Sequence, residues 1–446
     1  MKRNKLLLTV LSLIMVMVLV AGCGGNNNAA KPSATGSAQA SESVAPSEPA
    51  KKIKLTFWGG VPAEAGPQAV ADSWNAENPN VQVEYIRYVN DDAGNLKLDT
   101  ALLAGQDADL YISYTPSRLQ KRIDAGVAVD LSAKTSDYNI DEQMGPDAKQ
   151  WLINDKYYGI PTKKNMAFIW LNKKMLDDAN LPIPPLDWTW SDVQEYAAKL
   201  KREKVWGLLQ HEAAFTSQFD GTIAAEGYTK ADGTSNFDNA YWKQGFQILH
   251  DMMFKDKSTP EYGEQLTSKM PLDTMFLKGE AAMLTAGEFI FRNANNLVDF
   301  PHDFQIAFAP IPKISADQTN FKYPGGLGDV LSVNAKSENQ EAAWEFAKWY
   351  ADGGMLPMAP GGRIPSSKSV DSAKAIDLLL KGVEDKYDRD SLNKVVFGQF
   401  ESFQLNVPQQ VVDARKEEYE KYFLNKQDID TTLKNMAERH NQHIKK

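Results

Sequence analysis

The chain has 446 residues, 43% of them hydrophobic, with 49 basic and 58 acidic side chains and a formal net charge of -9. Without Lys2, Arg3 and Lys5 the charge becomes -12, because residues 1–22 contain no acid; so acidic a body excludes nucleic acid and an anionic lipid surface as its partners. A single cysteine, Cys23, excludes an intramolecular disulfide.

Residues 1–22 read as a secretory signal peptide: a basic start, then an apolar stretch from Leu6 to Ala21 that is short of the roughly 20 residues a membrane span needs. The stretch ends in Val20-Ala21-Gly22-Cys23, which resembles the bacterial lipobox. That resemblance implies a diacylglyceryl group and acyl chain on Cys23. Gly24 to Ala50 contains Val44 as its only large apolar residue. Such a segment buries too little surface to offset its ordering entropy, so residues 23–50 are expected to be a lipid-anchored flexible stalk. The folded part then begins near Lys51 and is long enough for two lobes.

Ile53 to Phe57 alternates as a strand and runs into Trp58-Gly59-Gly60. A helix is expected over Ala63–Asn75, a strand over Val81–Tyr85, a helix over Leu96–Leu103 ending at Gly105, and a short buried strand over Asp109–Ile112. Strand, helix, strand, helix, strand favours an α/β fold with a largely parallel sheet. Further elements follow: a helix over Leu119–Ala125, an extended Val127–Leu131, a hairpin arm over Asp155–Pro161, a strand over Met166–Asn172 and a helix over Lys173–Ala179. Thr189 is placed to cap a helix over Trp190–Arg202. Asn239–Met253 is amphipathic; Met275–Lys278 and Ala281–Thr285 read as helix and strand. Val330–Val333 is a strand, Asn339–Ala351 a helix, and the region from Asp371 is nearly all helical.

Several segments then match, in order, one family: Leu55-Thr-Phe-Trp-Gly59, Leu102 to Ile112, Lys156-Tyr-Tyr-Gly-Ile-Pro-Thr162, Leu171-Asn-Lys-Lys-Met-Leu176, Thr189-Trp-Ser-Asp192, Phe276 to Met283, Ala309-Pro-Ile-Pro312 and Glu341 to Phe346. The chain resembles the extracellular solute-binding proteins of family 1, carbohydrate-type receptors of ABC importers. The resemblance implies a two-lobed, periplasmic-binding-protein-like α/β fold of type II, with a ligand cleft that closes about hinge crossovers. These crossovers are expected near Ile160–Lys164, Leu327–Leu331 and Arg363–Ser369. Residues 51–160 with 331–365 would form the N-terminal lobe, and 161–330 with 366–446 the C-terminal lobe. It further implies a monomer on the extracellular face of the cytoplasmic membrane. That monomer would bind a mono- or oligosaccharide without a cofactor and deliver it to ABC permease transmembrane subunits.

Sugar sites need flat aromatic faces and polar groups in loops at the carboxyl ends of strands. Trp58 either meets the ligand or closes its strand as a core aromatic, and Glu64 begins the next helix. Ser113 and Tyr114 follow the strand at Asp109. Lys163, with Lys164 and Asn165, lies at a crossover, and His211 follows the apolar Trp206–Leu209. Glu288 and Phe289 stand where the family typically has Pro and Trp, so a smaller ring and a charge replace the usual stacking face. Gly326 and Asp329 belong to a glycine-rich turn, Gly325–Asp329. Arg363 fits either a carboxylate of an acidic sugar or a structural ion pair.

Catalytic constellations are missing from the sequence: no Gly-x-Ser-x-Gly, His-Glu-x-x-His or Gly-Lys-Ser motif occurs, and no calcium-loop order of acids. The expectation is a binding protein without catalytic or metal residues. A surface glycan hydrolase and a ligand-sensing subunit for a membrane kinase are the other readings.

Overall fold

The computed structural model describes residues 52–105, 107–210, 219–398, 400–403 and 407–444. The signal, the stalk, Cys23 and His211 lie outside the described residues. Nine strands occur among those described: β1 (Ile53–Gly59), β2 (Val81–Arg87), β3 (Leu110–Ser113), β4 (Ile160–Asn172), β5 (Trp206–Gln210), β6 (Ala281–Gly287), β7 (Ile306–Pro310), β8 (Tyr323–Val333) and β9 (Ser402–Phe403). They follow the order β2-β1-β3-β8-β4-β6-β5, with β7 on β4 and β9 on β8. Pairs β1–β2, β1–β3 and β5–β6 are parallel, whereas β4 runs antiparallel to β6, β7 and β8.

The 13-residue β4 joins two half-sheets: Ile160 to Met166 pairs with Leu331 to Gly325 of β8, and Phe168 to Leu171 pairs with β6 and β7. Beyond the join, successive side chains enter different cores, because a strand alternates its faces. Phe168 and Trp170 pack with Phe291, Phe308, Leu379 and Tyr387, while Ile169 and Leu171 pack with Trp190, Phe219, Trp242 and Phe423. The first half-sheet has its own core of Leu55, Phe57, Trp74, Leu110, Ile112, Leu331, Phe346 and Tyr350. A smaller cluster of Trp58, Tyr88, Leu98, Leu102 and Tyr111 lies apart from it. Covered on both faces, β3 and β7 are buried at every position, as strands in a helix-sandwiched sheet are.

Local chemistry moves several boundaries. The helix expected from Ala63 is split at Gly66, whose φ of 120° only glycine adopts readily, and restarts with Pro67 in its first turn. Asp91 caps the second helix through Gly94 N, starting it at Asp92 rather than Leu96. Thr115 caps Pro116–Asp124, and Thr189 with Asp192 forms a capping box on Trp190–Leu200. The Gly325–Asp329 turn is corrected to strand: Gly325, Gly326 and Gly328 are β8 residues opposite Met166, Asn165 and Lys163. Glycine is needed there for close approach, since a Cβ on Gly328 would sit 3.1 Å from Asn165 Cγ, and one on Gly325 2.8 Å from Asn165 O.

The C-terminal helices Gln409–Phe423 and Ile429–Ile444 are fixed by two buried polar groups. Arg415 pairs with Asp220 at 3.0 Å and lies 5.0 Å over the Trp242 ring. His440 stacks on Phe237 at 4.4 Å and shares a 2.8 Å hydrogen bond with Ser235 Oγ. Burial, then the fields of His443 and Arg415, push its pKa down to about 4. The folded value lies below the unfolded one, so on acidification the unfolded chain takes the proton first. Stability is therefore expected to fall between about pH 6.5 and 4, by on the order of 3 kcal/mol from this group. Urea unfolding across that range should show a shallower acid limb for His440→Asn. An unchanged limb would remove His440 as its source.

Candidate ligand-binding site

The parallel strands β1, β2 and β3 end side by side, and three tyrosines knit the loops beyond them. Tyr85 donates to Val61 O at 2.6 Å, Tyr88 to Ile112 O at 3.0 Å, and the Tyr114 hydroxyl accepts from Gly60 N at 2.6 Å. A Cβ on Gly60 would lie 3.0 Å from that hydroxyl, so the glycine lets the ring close over the loop. Trp58 is buried 6% exposed, and its indole N–H donates to Asp107 O at 2.6 Å. Ser113 is fully buried, its Oγ accepting from Arg122 Nη1 at 2.8 Å. Neither side chain reaches the buried charges around Lys163, and Glu64 stands exposed in the 3-10 turn Ala63–Ala65.

Three passages of chain run side by side between the two half-sheets' cores: β4, β8 and Arg363–Ser366. Lys164 N donates to Ile364 O at 2.8 Å and Ser366 N to Thr162 O at 3.0 Å, which ties the third passage to β4. Here four of the expected residues meet, three from these passages and Glu288 from the turn after β6. Lys163 Nζ contacts Glu288 Oε1, lies 3.8 Å from Asp329 Oδ1 and donates to Asn165 Oδ1 at 2.9 Å. Arg363 Nε lies 3.4 Å from Asp329 Oδ2, and Glu288 Oε2 accepts from Met166 N at 3.1 Å. All four side chains are buried.

Asp329 adopts a left-handed φ of 49° within β8, a conformation that aspartate tolerates better than most residues. Burial pushes its carboxyl up, against the fields of Lys163 and Arg363. Burial also works against the charge on Arg363, but Asp329, Tyr114 and Glu288 overcome it and hold the guanidinium above its usual range. Arg363 is thus in an ion pair. Tyr114 is pushed well above its ordinary value by burial first, with Tyr88 and Asp329 adding to it, so it stays a neutral phenol while accepting from Gly60 N.

Phe289 follows Glu288 and is half-buried beside Gly287 and the core of Phe168. Gly326 has φ 101°, and a Cβ there would meet Gln150 Oε1 at 2.5 Å. At the carboxyl ends of β5 and β6, Gln210 and Thr285 sit opposite each other, fully buried; neither amide atom of Gln210 nor the Thr285 hydroxyl has a hydrogen-bond partner among the described residues. Sequence reading passed over Arg87 and Arg292. Arg87 lies two residues beyond Tyr85 on the same face of β2, and Arg292 one helical turn beyond Phe289; these spacings were the available signal.

No group of three or more His, Cys, Asp or Glu side chains fit to hold a metal occurs among the described residues. The profile described as bacterial extracellular solute-binding protein matches residues 59–352. The chain belongs to that family. Among relatives of the solute-binding protein, the maltotriose-binding protein of Pyrococcus abyssi is 24% identical over 293 residues, covering 64% of this chain and 58% of its own. The sn-glycerol-3-phosphate-binding periplasmic protein of Escherichia coli (strain K12) is 22% identical over 344 residues, covering 68% of this chain and 74% of its own. Of solved structures, the ABC substrate-binding protein of Listeria monocytogenes in complex with cycloalternan has a TM-score of 0.71 at 19% identity, over 89% of this chain and 100% of that one. Maltose-bound MalE3 of T. maritima has a TM-score of 0.68 at 19% identity, over 88% and 99%. The solute-binding protein therefore has their two-lobed α/β fold.

Proposed function

We propose that this chain is the receptor of an ABC importer, capturing a carbohydrate between two lobes and delivering it to the permease. The observation that carries the reading is the family match over residues 59–352. The three passages of β4, β8 and Arg363–Ser366, beside loops that hold Tyr114 and Phe289, agree with it. They serve as the hinge, with the lobe boundaries falling at 51–160 plus 331–365 and 161–330 plus 366–446. Closure is held by bonds between residues of the two proposed lobes: Ser117 Oγ donates to Gln409 Oε1 at 2.7 Å, and Ser402 Oγ to Asp147 Oδ2 at 3.2 Å. Opening exchanges these two part-buried bonds for bonds to water, while solute binding favours the closed form.

Tyr114, Asn165, Phe289 and the residues following Gln210, His211 among them, are the ligand contacts in this reading; Trp58, Ser113, Asp329 and Arg363 support them from behind. Cys23 carries the lipid in this reading, and the 27 residues Gly24–Ala50 tether the monomer to the outer membrane face. Such a tether raises its effective concentration at the permease.

Thermal unfolding with a panel of mono- and oligosaccharides tests this: a few members should stabilise the protein as RT ln(1 + [L]/Kd) requires, about 2.7 kcal/mol at a hundredfold excess over Kd. Stabilisation by peptides or polyamines and by no carbohydrate or polyol would assign a different solute class.

A further inference from the structure

We propose that Arg87 and Arg292 recognise an anionic group, a carboxylate or a phosphate monoester, carried by the captured solute. The inference rests on the receptor reading above and adds the chemical class of the ligand.

The buried arginines of this chain are paired. Arg122 meets Asp99 at 2.9 Å, Arg415 meets Asp220 at 3.0 Å, and Arg363 is taken by Asp329. Arg292 differs. It is half-buried, its Nε is 3.4 Å from the Asn293 side-chain oxygen, and no carboxylate stands at ion-pair distance from it among the described residues. Asp273 faces the same region but already accepts from Asn293 Nδ2 at 3.3 Å. Taking a guanidinium partly out of water without a counter-charge is unfavourable, and folded proteins rarely retain it without a use.

Its position gives that use. Arg292 lies in the short helix Phe291–Ala294, after Glu288 and Phe289, with its Cβ 3.6 Å from where a Gly361 Cβ would be. Its neighbour Phe291 belongs to the core of Phe168 and Phe308. Arg87 comes from the other core's sheet: it ends β2, in register with Gly59 at the end of β1, at the carboxyl edge where open α/β sheets hold ligands. Arg87 is exposed and likewise has no ion-pair partner among the described residues. The turn Leu356–Gly361 beside Arg292 also meets Gly66, where a Cβ would lie 2.8 Å from Pro357 O, and so brings Arg292 to the loop that follows β1 and to the edge where Arg87 ends β2. Burial, then Arg363 and Arg87, hold the Arg292 guanidinium below its usual range, although Asp273 and Glu64 oppose them. An anion between the two arginines relieves that repulsion, and the planar fork of each matches a carboxylate or phosphate bidentately. In a chain of formal charge -9, a cationic spot at this edge also selects against neutral analogues of the same solute.

Calorimetry of the folded protein decides the matter with galacturonate, glucuronate, their short oligomers, glycerol 3-phosphate and hexose 6-phosphates, each beside its neutral counterpart. One anionic class should bind at least about tenfold more tightly than its neutral match, and which class does so separates carboxylate from phosphate. Arg292→Gln should weaken that ligand about 30-fold or more, Arg292→Lys less, and Arg87→Gln about tenfold, with equal circular dichroism in all. Binding of neutral sugars with no preference for their anionic forms would overturn this inference and leave the receptor reading standing. Failure of every sugar, acid and phosphate to bind would overturn both.

Discussion

Lys163→Met is expected to lower folding stability by about 3–5 kcal/mol, the range for removing one partner of a buried ion pair. The substitution preserves the unbranched stem but leaves Glu288 and Asp329 without the ammonium between them, in a place where neither carboxylate reaches water. Arg363 remains for Asp329 at 3.4 Å; among the described residues, only the Met166 backbone N–H is left to bond Glu288. Adding Glu288→Gln to Lys163→Met should recover most of the loss, because the amide oxygen still accepts from Met166 N and no unpaired charge is left. Urea midpoints of the single and double variants measure the coupling directly. A single variant within about 1 kcal/mol of the parent would show the pair behaving as a solvated surface pair, contrary to its burial.

This pair also marks where the sequence stops being readable. Strands β1 to β3 and the helices between them follow from short-range patterns: alternation, glycine stops and oxygen-bearing caps such as Thr189 with Asp192. β7 carries no strand signal in the sequence, because its five residues end in Pro310 and run on to Pro312, and proline argues locally against a strand; burial on both faces overrides that. The glycines of β8 likewise read as a turn, since nothing near them in sequence announces the Asn165 side chain that fills the space theirs would take. Trp58 and Ser113 end strands, where sequence logic places ligand contacts, yet helices cover those ends. Lys163, Glu288, Asp329 and Arg363 were all singled out, each as a separate polar residue near a loop or crossover. That they satisfy one another is a property of the β4–β8 register and the third passage, which no local pattern encodes. Arg87 and Arg292 escaped for the opposite reason: a lone arginine on a strand end or short helix looks like any solvated charge until the missing counter-ion becomes visible.

The third passage carries the second large effect. Gly362 has φ 82°, and a Cβ on it would sit 2.1 Å from Glu288 O and 3.3 Å from Phe291 Cβ. The first obstacle is backbone and cannot rotate aside, so Gly362→Ala combines about 1 kcal/mol of left-handed strain with about 1–3 kcal/mol of overpacking. Gly382→Ala is the control: its φ is 80° and a Cβ there meets nothing within 4 Å, which isolates the strain alone. The difference between the two variants in urea unfolding should therefore be about 1–3 kcal/mol, and equal losses would mean that the passage yields freely. Relief of the clash must push Arg363 away from Asp329, or Glu288 away from Lys163, since Gly362 is bonded to the first and packed on the backbone of the second. Whichever moves, a charge inside the crossover loses its partner, and the solute-binding affinity should fall with the stability in Gly362→Ala but stay intact in Gly382→Ala.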